Sequence, residues 1–301
     1  MAASRYSRER IVVGALGAAA SLLALLLLLV PCNLSPAFGQ QIGLTGKYAL
    51  SGHFATTTTG QSFLFQDNFE SDDTDLVPTW DYRNSTNVTL NTNPTYSHGG
   101  SNSGQFYYFI ASGGDASQDA NRWASKVVTG QADLHLRGYL YLKTPEGDNT
   151  STGTQRKLIW LSDSTDATDN MGNYQVVLDG WATAGTPNYT SLSWLSQGTG
   201  GGCGLTSAQH WDIASLNYDT WYSVEFEAIL NTPSVANGYA KLWINGSLVY
   251  TSSATDQLRG TCSGNLSFAD IGVQVNRTDS TLVDEYRYWD DVAISASYIG
   301  P

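Results

Sequence analysis

The stretch WYSVEFEAILN, residues 221–231, alternates apolar and polar side chains over most of its length. This period of two predicts a β-strand with one buried and one polar face. Residues 237–251, NGYAKLWINGSLVYT, repeat the alternation on both sides of Asn245-Gly246. An Asn-Gly pair between two such runs predicts a type I′ hairpin, because both central positions need positive φ. With residues 285–301, the last third of the chain predicts a sheet with one apolar face and one polar, aromatic face.

Similar alternating runs precede this region, and together they predict roughly a dozen strands with no amphipathic helix beyond the N-terminal segment. Residues 182–212 are rich in Ser, Gly, Asn and Trp and are expected to form a long loop. Such loops often carry ligand contacts, so three tryptophans are candidate rim residues: Trp181, Trp194 and Trp211. The pattern predicts an all-β protein made of two packed antiparallel sheets.

Four motifs in the last third of the chain also carry a family resemblance. They are Trp-Tyr-x-x-Glu from residue 221, Asn-Thr-Pro from 231, Lys-Leu-Trp-Ile-Asn-Gly from 241 and Trp-Asp-Asp-Val from 289. Together they resemble the concanavalin A-like lectin/glucanase jelly-roll superfamily, and within it the polysaccharide lyase-like and laminin G-like branches. The resemblance implies a jelly-roll β-sandwich over residues 63–301. It leaves the activity open, since this fold hosts lectins, hydrolases, lyases and adhesion modules.

The N-terminal residues 1–39 have the organisation of a signal peptide. Three arginines precede an apolar run of 21 residues (11–31), and Ala37-Phe38-Gly39 offers small residues at the −3 and −1 positions of a cleavage site. The run is also long enough to remain as an uncleaved membrane anchor. Either outcome places the folded domain outside the cytoplasm, secreted or anchored. Residues 40–62 then form a linker or an edge hairpin.

Two cysteines, Cys203 and Cys262, remain after loss of Cys32 with the signal. Disulfides form and persist in extracellular compartments, so we predict that these two cysteines pair, with two free thiols as the alternative. Closing a loop of about 60 residues contributes roughly 4 kcal/mol in the chain-entropy model.

The formal net charge of −12 excludes some classes of partner. An acidic surface repels nucleic acid, and a polyanionic substrate would need a local basic cleft or a bound cation. We therefore expect a polysaccharide or glycan partner and no nucleic acid. Membrane contact is expected only through the N-terminal segment, and the protein is expected to be a monomer.

Residues 133–142, DLHLRGYLYL, place four leucines on one strand face and four polar side chains on the other. Successive polar members lie about 6.5–7 Å apart along a strand. β-Elimination on a uronic acid needs a cation to neutralise the carboxylate, a base for the C5 proton and an acid for the leaving oxygen. If the protein is a lyase, the predicted catalytic residues are His135, Arg137 and Tyr139. The structural alternative is that these side chains only hydrogen-bond with one another and have no catalytic role. A single histidine is more often structural than catalytic.

The rest of this polar face is predicted to bind substrate through Tyr141, Lys157, Glu225, Glu227, Lys241 and Trp243. The motifs that would settle an enzymatic activity are absent. The glycosidase pattern Glu-x-Asp-x-x-Glu is not matched at Glu225, and Gln274-Val275-Asn276 has Asn where the alginate lyase pattern Gln-x-His has its histidine.

The resemblance also implies a structural Ca²⁺ site. Residues 67–70, Asp-Asn-Phe-Glu, resemble the Asp-x-Phe-Glu opening of jelly-roll modules, in which the first strand lies beside the last. Carboxylates from both strands would then supply the hard oxygen ligands that Ca²⁺ prefers. The predicted ligands are Asp67, Glu70, Asp290 and Asp291, and the alternative is two solvated acidic strand ends.

Three functions remain in view from the sequence. The favoured one is a secreted protein that binds an extracellular polysaccharide on the polar face of a jelly-roll sheet. The second is a polysaccharide lyase that cleaves a uronate-containing polymer at the same face. The third is a non-catalytic structural or adhesion module whose polar face is only solvated.

Overall fold

The computed structural model describes residues 61–77, 79–84, 86–108, 120–144, 155–168, 172–182, 189–198, 202–205, 208–276 and 285–301. The predicted signal segment, and the linker up to residue 60, lie outside these ranges. Within them the chain forms one turn of 3-10 helix at Pro94–Tyr96 and fifteen β-strands. The strands are β1 Phe65–Asp67, β2 Tyr82–Arg83, β3 Val88–Asn91, β4 Ser103–Tyr108, β5 Ala120–Gln131, β6 Asp133–Leu142, β7 Gln155–Ser162, β8 Tyr174–Ala182, β9 Tyr189–Gly198, β10 Ala208–Asn217, β11 Trp221–Ile229, β12 Tyr239–Ile244, β13 Ser247–Thr251, β14 Leu266–Asn276 and β15 Glu285–Ser295.

The strands form two antiparallel sheets. An eight-stranded sheet has the order β13-β12-β11-β6-β15-β4-β3, with β1 paired to the C-terminal part of β15. A seven-stranded sheet has the order β10-β9-β8-β7-β14-β5-β2. The pairing of β1 with β15 confirms that the first strand lies beside the last. The predicted all-β sandwich of two antiparallel sheets is confirmed for the described residues.

The main hydrophobic core lies between the inner faces of the two sheets. Leu134, Leu136 and Leu140 of β6 are fully buried there, as the alternation predicts. Val224 and Phe226 of β11 are buried in the same cluster. The alternation therefore assigned the inner face of these central strands correctly.

The turn at Asn245-Gly246 has the backbone conformation that the sequence predicts. Asn245 has a φ of 50° and Gly246 a φ of 74°, and the two residues join β12 to β13. Positive φ at both positions is the requirement of a type I′ turn.

The predicted long loop at residues 182–212 is wrong over most of its length. Strands β9 and β10 occupy much of it and pair with each other. Trp194 is fully buried in the core and stacks on His210, with 4.5 Å between ring centroids. Trp211 is 54% exposed, and the side chain of Trp181 lies outside the described residues. The alternation was hard to recognise because serine occurs on both faces of β9. Ser193 lies outward opposite Asp179, whereas Ser196 lies on the core side opposite Val176.

The predicted disulfide between Cys203 and Cys262 is present. It links the segment after β9 to the segment before β14. Within the described ranges, no helix is long and apolar enough to cross a membrane.

Candidate functional site

The outward face of the eight-stranded sheet, called the polar face below, carries eight of the nine predicted catalytic and binding residues. Strand register aligns them in rows across β6, β11 and β12. In one row Glu225 lies opposite both Arg137 and Trp243, and in the next Glu227 lies opposite both His135 and Lys241. The remaining members, Tyr139 and Tyr141, continue along β6.

Lys157 is the exception. It lies on β7 of the seven-stranded sheet, opposite Asp179 of β8 and Gln274 of β14. The alternation of a strand assigns a side chain to a face of its own sheet, but it does not say to which sheet the strand belongs. Placing Lys157 beside His135 is therefore wrong.

His135 is enclosed by carboxylates and is only 2% exposed. Its Nδ1 lies 2.8 Å from Glu225 Oε1. Its Nε2 lies 3.3 Å from Glu227 Oε1 and 3.5 Å from Asp133 Oδ1. On the far side, Lys241 Nζ lies 2.9 Å from Glu227 Oε2. Asp133 was not among the predicted site residues, although it lies two positions before His135 and therefore on the same face of β6.

The charge around His135 decides its protonation. Burial alone lowers the pKa of an imidazole, but the carboxylates of Glu225 and Glu227 outweigh burial and raise the pKa of His135 to about 9. An imidazole with both ring nitrogens protonated has no lone pair with which to accept a proton. The neighbouring carboxylates therefore disfavour His135 as the base of an elimination.

The C-terminal segment of the chain covers this part of the polar face. The backbone N–H groups of Ile299 and Gly300 donate to the two oxygens of Glu225, at 2.8 and 3.0 Å. The ring of Tyr298 lies 5.0 Å from that of Trp243, between centroids. The chain itself thus occupies the surface around Glu225 and Trp243 at which a sugar was predicted to bind.

Arg137 lies in the middle of the polar face and is 3% exposed. Its Nε and Nη1 are buried without a hydrogen-bond partner. Its guanidinium lies 5.4 Å from the ring centroid of Tyr139, and that ring stacks on His98 at 3.5 Å. A buried guanidinium with unused donors is suited to a planar anion such as a carboxylate.

The four predicted calcium ligands have different hydrogen-bond partners. Asp67 Oδ1 accepts from Phe69 N at 2.8 Å and its Oδ2 from Trp80 Nε1 at 2.6 Å. The other three carboxylates line the loop of residues 97–102. There Glu70 accepts from Ser101 N and Asn102 N, Asp290 accepts from His98 N and Gly99 N, and Asp291 lies beside the imidazole of His98. Calcium binding by Asp67, Glu70, Asp290 and Asp291 stays a prediction.

The outward face of the seven-stranded sheet is called the lysine face below. Val176 and Leu178 of β8 belong to the main core, whereas Val177 packs in a separate buried cluster with Trp160 and Leu195. Because successive strand residues point to opposite sides, the cluster around Val177 lies on the side away from the core. The same alternation places further polar residues on this face: Gln175, Asp179, Ser193 and Asp270.

The lysine face is buried although it points away from the core. Lys157 is 4% exposed, and Asp179 and Asp270 are fully buried. Lys157 Nζ lies 5.7 Å from the ring centroid of Trp160, and Trp160 lies 6.2 Å from Trp123. Charged side chains are almost never fully buried unless they are paired. The lysine face brings a cation, two carboxylates and an aromatic pair together on one covered surface.

No protein-family model matches the chain, and no curated protein matches it in sequence. Solved structures do match its fold. The endo-β-1,4-glucuronan lyase of the fungus Trichoderma reesei superposes with a TM-score of 0.56 at 13% sequence identity, covering 78% of this chain and 96% of that one. The alginate lyase of Aplysia kurodai gives 0.52 at 12% identity, covering 77% and 98%. Alginate lyase Aly36B gives 0.51 at 12% identity, covering 77% and 96%.

These likenesses extend over nearly the whole length of the three lyases. They confirm that the chain has the jelly-roll sandwich found in polysaccharide lyases, as the sequence resemblance implies. At 11–13% identity they establish the fold and leave the chemistry to be argued from the side chains.

Proposed function

We propose that this protein is a secreted, carbohydrate-active protein that binds a uronate-containing polysaccharide on the lysine face. The observation that carries the proposal is the burial of Lys157 and Asp179 opposite each other on a sheet face that points away from the core. Burying an ammonium group is costly unless it is paired, and a cluster of buried charged groups on an outward sheet face is a candidate functional site.

The chemistry of the lysine face suits an acidic sugar. The ammonium of Lys157 would neutralise a uronate carboxylate, and the carboxylates of Asp179 and Asp270 would accept hydrogen bonds from sugar hydroxyls. Trp160 and Trp123 would supply apolar contact with the sugar ring. The net charge of the chain is −12, and the lysine face carries two carboxylates beside its one ammonium. Binding of a polyanion would therefore depend on direct contact between a sugar carboxylate and Lys157.

The fold comparison supports the substrate class. The matched structures are, by their names, lyases of glucuronan and of alginate. Both polymers are built of uronic acids, whose carboxylates need a cationic partner. Lyase activity is the alternative function, and Lys157 would then neutralise the carboxylate during β-elimination. Within the described part of the lysine face, Asp179 and Asp270 are the groups available to move a proton.

A second location is favoured by one observation, the unpaired buried Nε and Nη1 of Arg137 on the polar face. An acidic sugar there would lie over Arg137 and Tyr139, as the sequence analysis predicts. It would have to displace the C-terminal segment that covers the neighbouring Glu225.

Substitution of Lys157 tests the proposal. Calorimetric affinities for polyglucuronate and for alginate would be compared between wild type and Lys157→Met. We expect a loss of about tenfold or more, since one hydrogen bond to a charged group is worth about 1.5–3 kcal/mol. Lys126→Met is the matched control, because Lys126 lies on β5 of the same sheet and is paired with Asp81.

Arg137→Met separates the two faces. Unchanged affinity in Lys157→Met together with a loss in Arg137→Met would move the site to the polar face. No binding of either polymer by correctly folded wild type would contradict the proposed function and favour an adhesion module. Ultraviolet absorbance of unsaturated uronates in the same mixtures would reveal lyase activity, and its loss in Lys157→Met would assign the reaction to the lysine face.

A further inference from the structure

Three side chains at one end of the polar face converge on a common point. Asp133 and His135 project from β6 and Glu227 from the adjacent β11, and one potential ligand atom of each lies within 4.8 Å of the others. His135 Nε2 is 3.3 Å from Glu227 Oε1 and 3.5 Å from Asp133 Oδ1. Both distances exceed the 2.7–3.2 Å range of a good N–H···O hydrogen bond.

These spacings match those between ligands of a tetrahedral metal ion. Zinc binds histidine nitrogen and carboxylate oxygen at about 2.0–2.2 Å, which places neighbouring ligands of a tetrahedron roughly 3.3–3.6 Å apart. A hydrogen-bonded ion cluster would draw the same atoms closer together. The two separations that involve His135 therefore suit an ion between the ligand atoms, and the separation of the two carboxylates is within 4.8 Å.

The orientation of His135 is a second, independent observation. The ring is 98% buried, and its Nδ1 is hydrogen-bonded to Glu225, so Nε2 is directed at the two carboxylates. A bound ion would take the place of the Nε2 proton. Glu225 is itself held by the backbone N–H groups of Ile299 and Gly300. A metal-ligating histidine almost always has such a carboxylate on its other nitrogen, which fixes the tautomer and the ring orientation.

One carboxylate oxygen of the cluster is also left unsatisfied, since Asp133 Oδ1 is buried without a hydrogen-bond partner. Lys241 Nζ forms an ion pair with Glu227 Oε2 at 2.9 Å and leaves Oε1 directed at His135. Buried polar atoms without partners are rare in folded proteins and call for an explanation such as an ion.

We propose that Asp133, His135 and Glu227 form a binding site for a divalent transition-metal ion of the zinc class. The three protein ligands would leave a fourth position for water, on the side where the side chain of Asp133 is 44% exposed. The imidazole ligand and the short spacings favour zinc over calcium, which takes six to eight oxygen ligands at longer distances. Glu225 is a positioning residue that orients His135.

The site is independent of polysaccharide binding. It lies on the eight-stranded sheet, whereas Lys157 lies on the seven-stranded sheet. Loss of sugar binding in Lys157→Met would leave the metal site intact, and failure of the metal site would leave the sugar proposal standing.

The test measures zinc bound to tag-free protein that has been stripped with a chelator and dialysed against zinc chloride. We expect one equivalent of zinc by elemental analysis and a single site by calorimetry. Cobalt(II) in its place should show the visible absorption bands of tetrahedral coordination. Asp133→Asn and Glu227→Gln should abolish stoichiometric binding, and Glu225→Gln should weaken it about 10–100-fold, as loss of an orienting partner does.

Asp256→Asn is the matched control, because Asp256 makes a similar contact to a histidine elsewhere, 3.4 Å from His210 Nε2. It should keep full zinc binding. Asp133 is half exposed at the start of β6, so Asp133→Asn is expected to fold, which circular dichroism would verify. Wild type that takes up no zinc, folded Asp133→Asn with unchanged affinity, or binding lost only in Asp256→Asn would each overturn the proposal.

Discussion

At the scale of single residues, this protein is notable for buried carboxylates whose charge is only partly compensated. Asp67 is one, at 5% exposure. Burial and the nearby charge of Asp72 raise the pKa of Asp67 to about 7. Burial also raises the pKa of Asp72. The pair therefore carries a repulsion that grows as both groups ionise.

Asp72→Asn is expected to stabilise the protein above neutral pH and to have little effect near pH 4. The folded-state pKa of Asp67 lies above its ordinary value of 3.8, so its contribution to stability is complete below about pH 4 and is lost as the pH rises through about 7. Removing the charge of Asp72 lessens that loss by on the order of 1 kcal/mol, the equivalent of about one pKa unit.

Urea unfolding of both proteins across this pH range, with chelator present, provides the measurement. Asp73→Asn is the control, because Asp73 is exposed and its charge is the smallest of the effects on the pKa of Asp72. Its substitution should change the profile much less. A gain that is equal at pH 4 and pH 8 would contradict the electrostatic explanation.

At the scale of elements, the β12–β13 hairpin and the C-terminal segment stabilise one another. Tyr298 Oη donates to the carbonyl of Gly246 at 3.2 Å, and a Cβ added at Gly246 would lie 3.0 Å from Pro301. The same segment supplies the two N–H donors that hold Glu225. The turn therefore helps to position a segment that reaches the centre of the polar face.

Gly246→Ala is expected to destabilise the protein by about 1–2 kcal/mol. Its φ of 74° is unfavourable for any residue with a Cβ, and the added methyl would press on Pro301. Gly202→Ala is the matched control, because a Cβ there meets no atom within 4 Å and its φ lies outside the left-handed region. Thermal unfolding compares the two variants, and an equal effect in both would refute the role assigned to the turn.

At the scale of the whole molecule, the outward faces of the two sheets differ in the residues they carry and in what covers them. The polar face of the eight-stranded sheet is partly covered by the C-terminal segment and holds the carboxylate-enclosed His135. The lysine face of the seven-stranded sheet buries Lys157, Asp179 and Asp270. The proposed sugar site therefore lies on the seven-stranded sheet, and the proposed metal site lies on the eight-stranded sheet.

The disulfide is the covalent constraint on this architecture. It joins Cys203 to Cys262 across a sequence separation of 59. The double variant Cys203→Ala/Cys262→Ala should lose about 4 kcal/mol of unfolding free energy in the chain-entropy model. Urea unfolding under non-reducing conditions measures the difference, with wild type in reductant as the control. A double variant as stable as the oxidised wild type would show that the unfolded chain is not restricted by this bond.

The sequence by itself determined the features that depend on neighbouring residues or on covalent chemistry. A period of two follows from strand geometry alone, so the buried leucines of β6 and the apolar face of β11 could be read directly. The Asn245-Gly246 turn follows from the φ values that those residues tolerate. The disulfide follows from two cysteines in a chain expected to be exported.

Only the tertiary structure decided which strands become neighbours, and the candidate sites depend on that. His135 and Glu225 are 90 residues apart in sequence, and strand register brings them to 2.8 Å. Lys157 faces Asp179 rather than His135 because β7 pairs in the other sheet. Strand pairing is a sum of many weak long-range contacts along two sheets, and no single local pattern encodes it. The sequence could therefore name most of the chemically important side chains, but the fold alone decided which of them meet.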